Sequence, residues 1–140
     1  MDPMMKKLLV VAGLVVGLIA AGWLVHSLTT FRVNARMNRL TQDVDSLFDG
    51  LQKYKETVGA YPSGSNSDVA KALQGQNPKK VIILVGRKLE MNSKGEFVDP
   101  WGTPFRFYFS DNSVLLRSAG QNRRFEESSS PDFDDYIRSN

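Results

Sequence analysis

The feature that most constrains this chain is an uninterrupted apolar run near its N-terminus. Residues 8–25 contain no charged, amide or hydroxyl side chain. As an α-helix this run is ~27 Å long, close to the ~30 Å hydrocarbon layer of a bilayer. We therefore expect a transmembrane helix over residues 8–28, preceded by a short segment, residues 1–7. The small residues Ala20-Ala21-Gly22 would also suit signal-peptide cleavage, but the run continues beyond them, which favours an uncleaved anchor.

Positive charges flank both ends of the expected span. Lys6 and Lys7 precede it, and Arg32, Arg36 and Arg39 follow it. Cytoplasmic flanks usually carry the excess of Lys and Arg, so this nearly even count leaves the orientation of the helix open.

A second helical pattern follows the span, with apolar residues three or four positions apart. It predicts an amphipathic helix over residues 31–58 that ends before Gly59. The stripe could form a coiled-coil seam, but the rest of the chain needs an apolar surface to pack against, which favours a core role. The stripe residues are Val33, Met37, Leu40, Val44, Leu47, Leu51, Tyr54 and Val58.

The remaining residues predict a small antiparallel sheet beside this helix. Ser67 is a candidate N-cap for a short helix over residues 68–74, and the apolar residues 81–85 indicate a buried strand or a loop fixed to the core. Phe97-Val98 begins a short strand. Alternating patterns over residues 105–110 and 114–117 predict a hairpin, with Asp111-Asn112 as its turn because both residues tolerate a positive φ. The sheet region is about 96–118, and the predicted fold class is α+β.

The composition excludes several classes of function. The chain has no cysteine, which excludes thiolate chemistry, and its single histidine, His26, makes a multi-histidine metal site or a Ser-His-Asp triad hard to build. No phosphate-binding glycine loop or serine nucleophile motif occurs, and we predict no enzymatic activity. The basic stretch 71–94 lacks interleaved aromatic residues, which favours a solvated face over a nucleic-acid interface.

One string is distinctive enough to carry a family resemblance. Asp99-Pro100-Trp101-Gly102-Thr103-Pro104, with the Phe-Arg-Phe that follows, resembles the turn of type II secretion pseudopilins, most closely the major pseudopilins. Tyr54-Lys55, Ala60-Tyr61-Pro62 and residues 115–122 match the family in the same order, so the resemblance covers roughly residues 31–137. The motif residues are Asp99, Pro100, Trp101, Gly102 and Pro104.

The resemblance implies a pilin-like fold, in which one long N-terminal helix packs on a small antiparallel sheet with a C-terminal loop. It also implies a single-pass protein of the bacterial inner membrane, with residues 1–7 in the cytoplasm and residues 29–140 in the periplasm. Implied partners are the bilayer, other pseudopilins, inner-membrane secretion proteins and further copies through the N-terminal helix. The implied function is that of a filament subunit that assists protein secretion.

The N-terminal sequence departs from the family pattern. No acidic residue occurs between Asp2 and Asp43 and no phenylalanine before Phe31, so the prepilin processing site and the assembly glutamate are both missing. The alternative function is therefore an anchored periplasmic binding or adaptor protein that keeps the pilin-like fold and does not polymerise.

An acidic tail, residues 121–140, is the candidate metal site. It contains five carboxylates within ten residues, and hard oxygen ligands at alternating positions suit Ca²⁺. The resemblance implies calcium in this loop, with Asn122, Asp132 and Asp134 at the ligand positions. Arg123-Arg124 would oppose a divalent cation there, and a solvated acidic terminus without metal is the alternative.

Overall fold

A computed structural model describes residues 2–84 and 89–140. Two helices are followed by three strands: α1 (Pro3–Val58), α2 (Asn66–Leu73), β1 (Arg106–Phe109), β2 (Val114–Ser118) and β3 (Tyr136–Ser139). The chain divides into two compact units, Met1–Arg36 and Met37–Asn140. The predicted α+β class is confirmed, and the apolar and amphipathic stretches form one long N-terminal helix, as expected.

The first unit is a stretch of α1 whose side chains are exposed. Leu8, Leu18 and Trp23 are 70%, 74% and 72% exposed, although they are large and apolar. In the described part of the chain, α1 is the one helix long and apolar enough to cross a bilayer. The unit is therefore compatible with the single span predicted over residues 8–28.

In the second unit, α1 supplies one wall of the hydrophobic core. Leu40, Val44, Leu47, Leu51 and Tyr54 are buried, and Val58 packs partly against them. The predicted stripe is thus a core face over this length.

The stripe prediction is wrong at its N-terminal end. Val33 and Met37 are 39% and 41% exposed. Helical spacing identifies the apolar face of a helix, but it does not say how far along that face the partner elements extend.

The three strands form an antiparallel sheet in the order β1-β2-β3. Phe107 pairs with Leu116, and Phe109 pairs with Val114 at the end of the predicted hairpin. The turn does contain Asp111-Asn112, but neither residue has a positive φ. Ser110 N–H donates to the Ser113 carbonyl over 2.9 Å, so this bond encloses Asp111-Asn112 without the left-handed pair of a type I′ turn.

Strand β3 lies inside the segment predicted as an acidic loop. It pairs with β2, with Leu116 opposite Arg138. The Arg138 guanidinium forms an ion pair with Asp45 of α1 and lies 4.9 Å from the centre of the Phe48 ring. The end of the tail is therefore part of the folded sheet.

Helix α2 begins two residues earlier than predicted. Its N-cap is Ser65 rather than Ser67, and the Ser65 side chain and the Asp68 carboxylate each bond the other residue's backbone N–H in a capping box. The Ser65 hydroxyl, together with the Ser65 backbone N–H, lowers the pKa of Asp68 below its usual 3.8. A serine at either position fits the sequence pattern, and the reciprocal bond with Asp68 selects the first.

The apolar residues after α2 form a loop rather than a strand over their described part. Ile83 is buried, while Val81 and Ile82 are 37% and 59% exposed. The N–H groups of Ile83 and Leu84 both donate to the Leu73 carbonyl, at 2.9 and 3.3 Å, which fixes the loop to the core. Val85, the last residue of the predicted run, lies outside the described residues. The short strand predicted at Phe97-Val98 is reduced to two isolated bridges.

Candidate functional site

The turn that carries the family resemblance is organised by one buried carboxylate. Asp99 is completely buried. Its Oδ1 accepts hydrogen bonds from the N–H groups of Trp101 and Thr103, over 3.0 and 2.9 Å, and its Oδ2 accepts the Ser118 hydroxyl over 2.8 Å. Both oxygens are therefore satisfied, as a buried carboxylate requires.

The other motif residues give the turn its shape. Gly102 has a φ of +88°, a conformation that glycine adopts without strain, and Pro104 forms a bridge with Val98. Trp101 is only 6% exposed and belongs to the hydrophobic core, and Pro100 is half-buried. The turn is therefore a rigid connection between the Val98 bridge and β1.

Ser118, at the end of β2, links this turn to the C-terminal loop. Its hydroxyl donates to Asp99 and accepts the N–H of Gly120 over 3.1 Å. Gly120 has a φ of +67°, and a Cβ placed there would lie 2.3 Å from the backbone oxygen of Asp134. Only glycine lets the two ends of the loop approach this closely.

The loop closes into a cluster of three carboxylates. One oxygen each from Glu126, Asp134 and Asp135 lies within 4.8 Å of the other two. The Oδ1 atoms of Asp134 and Asp135 are both buried and accept no hydrogen bond from any described residue. A buried carboxylate oxygen without a hydrogen-bond partner is costly, and each of these atoms can accept a hydrogen bond from water or bind a cation.

Arg117 of β2 holds the cluster against the sheet. Its Nε donates to Asp135 Oδ2 and its Nη2 to the backbone carbonyl of Glu126. The Asp135 side chain is fully buried in this ion pair. The Arg106 and Arg117 guanidiniums both lie over the Phe125 ring, 3.8 and 5.5 Å from its centre.

The sequence-predicted ligands are only partly brought together. Asn122 N–H donates to Asp134 Oδ2 over 2.9 Å, so these two residues do meet. The Asn122 amide donates to Glu126 and to the backbone carbonyl of Asp132, and its oxygen accepts the N–H of Arg124. Asp132 thus reaches the site through its backbone, and its carboxylate is outside the converging group.

Glu126 and Asp135 join Asp134 in the cluster, although the sequence prediction did not include them. The sequence singles out the whole acidic tail but gives no sign of which carboxylates turn inward. That choice depends on Arg117, which is distant in sequence.

The donor set fits a hard divalent cation. Glu126, Asp134 and Asp135 offer only oxygen, which Ca²⁺ and Mg²⁺ prefer. Three carboxylates against the single Arg117 guanidinium leave two negative charges, which equals the charge of such an ion. Arg123 and Arg124 are exposed, and the described residues show no ion pair between them and the cluster.

No family model, no curated protein and no solved structure matches this chain. Functional conclusions therefore depend on the residues and geometry of the chain itself.

Proposed function

We propose that this chain is a pilin-like structural subunit or accessory component of a type II secretion pseudopilus or a related type IV filament system, and that it assists protein secretion. Its proposed location is the bacterial inner membrane, with the unit Met37–Asn140 in the periplasm. The role is one of assembly rather than catalysis.

The observation that carries this proposal is the division of α1. The helix is apolar and exposed over the first unit, and it supplies core side chains such as Leu47 and Leu51 in the second. One helix that can serve as membrane anchor and as domain core suits subunits that pack through their N-terminal segments. The Asp99 turn, which matches the family string and is fully hydrogen-bonded, supports the same proposal.

We also propose that the C-terminal loop binds Ca²⁺ through Glu126, Asp134 and Asp135. The support is the pair of buried oxygens without hydrogen-bond donors, Oδ1 of Asp134 and Oδ1 of Asp135. The protein's part is to hold these oxygens together, through Arg117 on one side and Gly120 on the other. When bound, the ion would neutralise the cluster and fix the loop.

An anchored adaptor that does not polymerise is the second candidate. The observation that favours it is the missing carboxylate in the apolar part of α1, since no acidic residue lies between Asp2 and Asp43. A permanent membrane anchor needs no such group.

Cysteine crosslinking separates the two functions. The chain has no native cysteine, so pairs introduced along residues 8–28 report only on designed contacts. In cells that express the secretion genes, a filament subunit gives crosslinked dimers and higher oligomers, which disappear when the secretion ATPase is deleted. Cysteine at the exposed Lys94 controls for random collision. Absence of crosslinks at every pair would reject the filament role and favour the adaptor.

A further inference from the structure

Two arginines follow the apolar part of α1 without a carboxylate to pair with. Arg32 and Arg36 are exposed, and neither forms an ion pair with any described residue. Arg39, by contrast, pairs with Asp43 over 3.5 Å. No acidic residue lies between Asp2 and Asp43, so the helix supplies no carboxylate within one turn of either unpaired arginine.

The length of the apolar segment places both arginines near a membrane surface. Residues 8–28 form ~31 Å of helix, which matches the hydrocarbon layer of a bilayer. Arg32 then lies about 6 Å beyond the hydrocarbon, at the depth of the headgroup phosphates, and Arg36 lies one turn further out. A long arginine side chain can reach back from that second position. Phe31, which is 72% exposed, suits the same boundary.

The chemistry of the pair matches a phosphate group. Because Arg32 and Arg36 are four residues apart, they project from the same side of the helix. A guanidinium forms paired hydrogen bonds to phosphate oxygens, which an ammonium does not. The proposed orientation puts these cations on the periplasmic side, where the positive-inside rule does not call for them. An anionic phosphate at the lipid surface is a charge-complementary partner for them there.

We infer that Arg32 and Arg36 bind the phosphate of an anionic phospholipid in the membrane leaflet at the C-terminal end of the span. The inference rests on the proposed anchoring of α1, and it adds a lipid class to the partners of the chain. The site belongs entirely to the first unit, so it does not depend on filament assembly.

Lipid selectivity of the full-length chain tests this inference. The protein is reconstituted in phosphatidylcholine vesicles that contain a trace of spin-labelled phosphatidylglycerol or spin-labelled phosphatidylcholine, and the motionally restricted fraction of each label is measured. We expect the wild type to prefer the anionic lipid by about five-fold. Arg32→Gln with Arg36→Gln should reduce the preference to less than about two-fold. Arg123→Gln with Arg124→Gln removes the same charge elsewhere and should leave it unchanged.

Each other outcome overturns the inference in an identifiable way. Equal restriction of the two labels in the wild type excludes a lipid site. If the double variant retains the preference, the selectivity belongs to Lys6 and Lys7 at the opposite end of the span. If the wild type shows no preference and the double variant loses subunit crosslinking, the partner is a carboxylate of a second copy. Flotation with vesicles is a separate measurement. A chain that does not float contradicts the membrane anchor, and with it the lipid site.

Discussion

Two loops of the second unit bury aspartate carboxylates, and the loops differ in how fully those carboxylates are hydrogen-bonded. In the turn before β1, both oxygens of Asp99 accept hydrogen bonds, three in all. In the C-terminal loop, Asp134 and Asp135 each keep one buried oxygen that no described residue bonds. A buried carboxylate oxygen that accepts no hydrogen bond is costly, whereas a fully bonded carboxylate stabilises the turn around it. The two loops therefore differ in how fully the described residues satisfy their buried carboxylates.

The largest expected effect on stability comes from removing Asp99, the fully hydrogen-bonded carboxylate. Asp99→Ala leaves two N–H groups and the Ser118 hydroxyl without their buried acceptor, so we expect the free energy of unfolding to fall by about 3 kcal/mol. The loss should be the same with calcium and with chelator, because this turn needs no ion. Chemical denaturation of the full chain measures it, and Asp111→Ala in the exposed hairpin turn is the control. A loss below about 1 kcal/mol would refute the role given to Asp99.

The unsatisfied carboxylates should respond to calcium. At one hundred times its dissociation constant, Ca²⁺ should raise the free energy of unfolding of the wild type by about 2.7 kcal/mol, because it binds only the folded loop. Asp134→Asn should abolish this gain. In chelator the same substitution should be neutral or stabilising, because it removes one of two neighbouring buried charges. Thermal unfolding in both conditions checks it, with the exposed Glu127→Gln as control. A calcium response that survives Asp134→Asn would contradict the proposed ligand set.

An intermediate effect is expected at Gly120, where the two ends of the C-terminal loop approach each other. Gly120→Ala combines a positive φ with a Cβ only 2.3 Å from the Asp134 backbone oxygen, so we expect a loss of about 2 kcal/mol and weaker calcium binding. Gly95→Ala is a matched control, because its φ of +75° is similar but its Cβ would meet nothing within 4 Å. The difference in unfolding free energy between the two variants measures the close approach alone. Equal losses would mean that the loop ends are not in contact.

The smallest effect is expected at the capping box of α2, where Ser65 bonds the exposed Asp68 carboxylate. Ser65→Ala removes the N-cap of α2 and should cost about 1 kcal/mol at pH 7. The Ser65 bonds lower the pKa of Asp68, so their stabilising contribution is present above the unfolded-state pKa and is lost as the pH falls through the lower folded-state pKa. The stability difference between wild type and variant should therefore shrink below about pH 4. Ser67→Ala should change little, and an unchanged Ser65→Ala difference at pH 3 would contradict the capping box.

The sequence predicted which helices and strands occur in this fold better than it predicted where they begin and end. Spacing identified the face of α1 that carries Leu40 to Tyr54, but not that Val33 and Met37 lie outside the core, because a helical period contains no information about the partner's length. Strand β3 was missed because the acidic residues before Tyr136 resemble a solvated tail. The alternating sequence pattern of β3 is short, and its strand conformation depends on pairing with β2.

The predicted calcium ligands and the converging carboxylates lie in the same acidic tail, but they are not the same residues. The alternating positions of Asp132 and Asp134 suggested oxygen ligands for Ca²⁺, yet the carboxylates that converge with Asp134 are those of Glu126 and Asp135. The inward turn of Asp135 follows from its ion pair with Arg117, and no local spacing in the tail encodes that contact. The turn around Asp99 could be predicted from the sequence because its hydrogen bonds are largely local, within residues 99–103.

Calorimetric titration of the full chain with Ca²⁺ tests the central contrast most directly. We predict one saturable binding event in the wild type that is lost in the Asp134→Asn, Asp135→Asn double variant. The event should persist in Asp132→Ala, because the Asp132 carboxylate is outside the converging group. An absence of calcium binding in the wild type, or binding that persists in the double variant, would contradict the account of this loop.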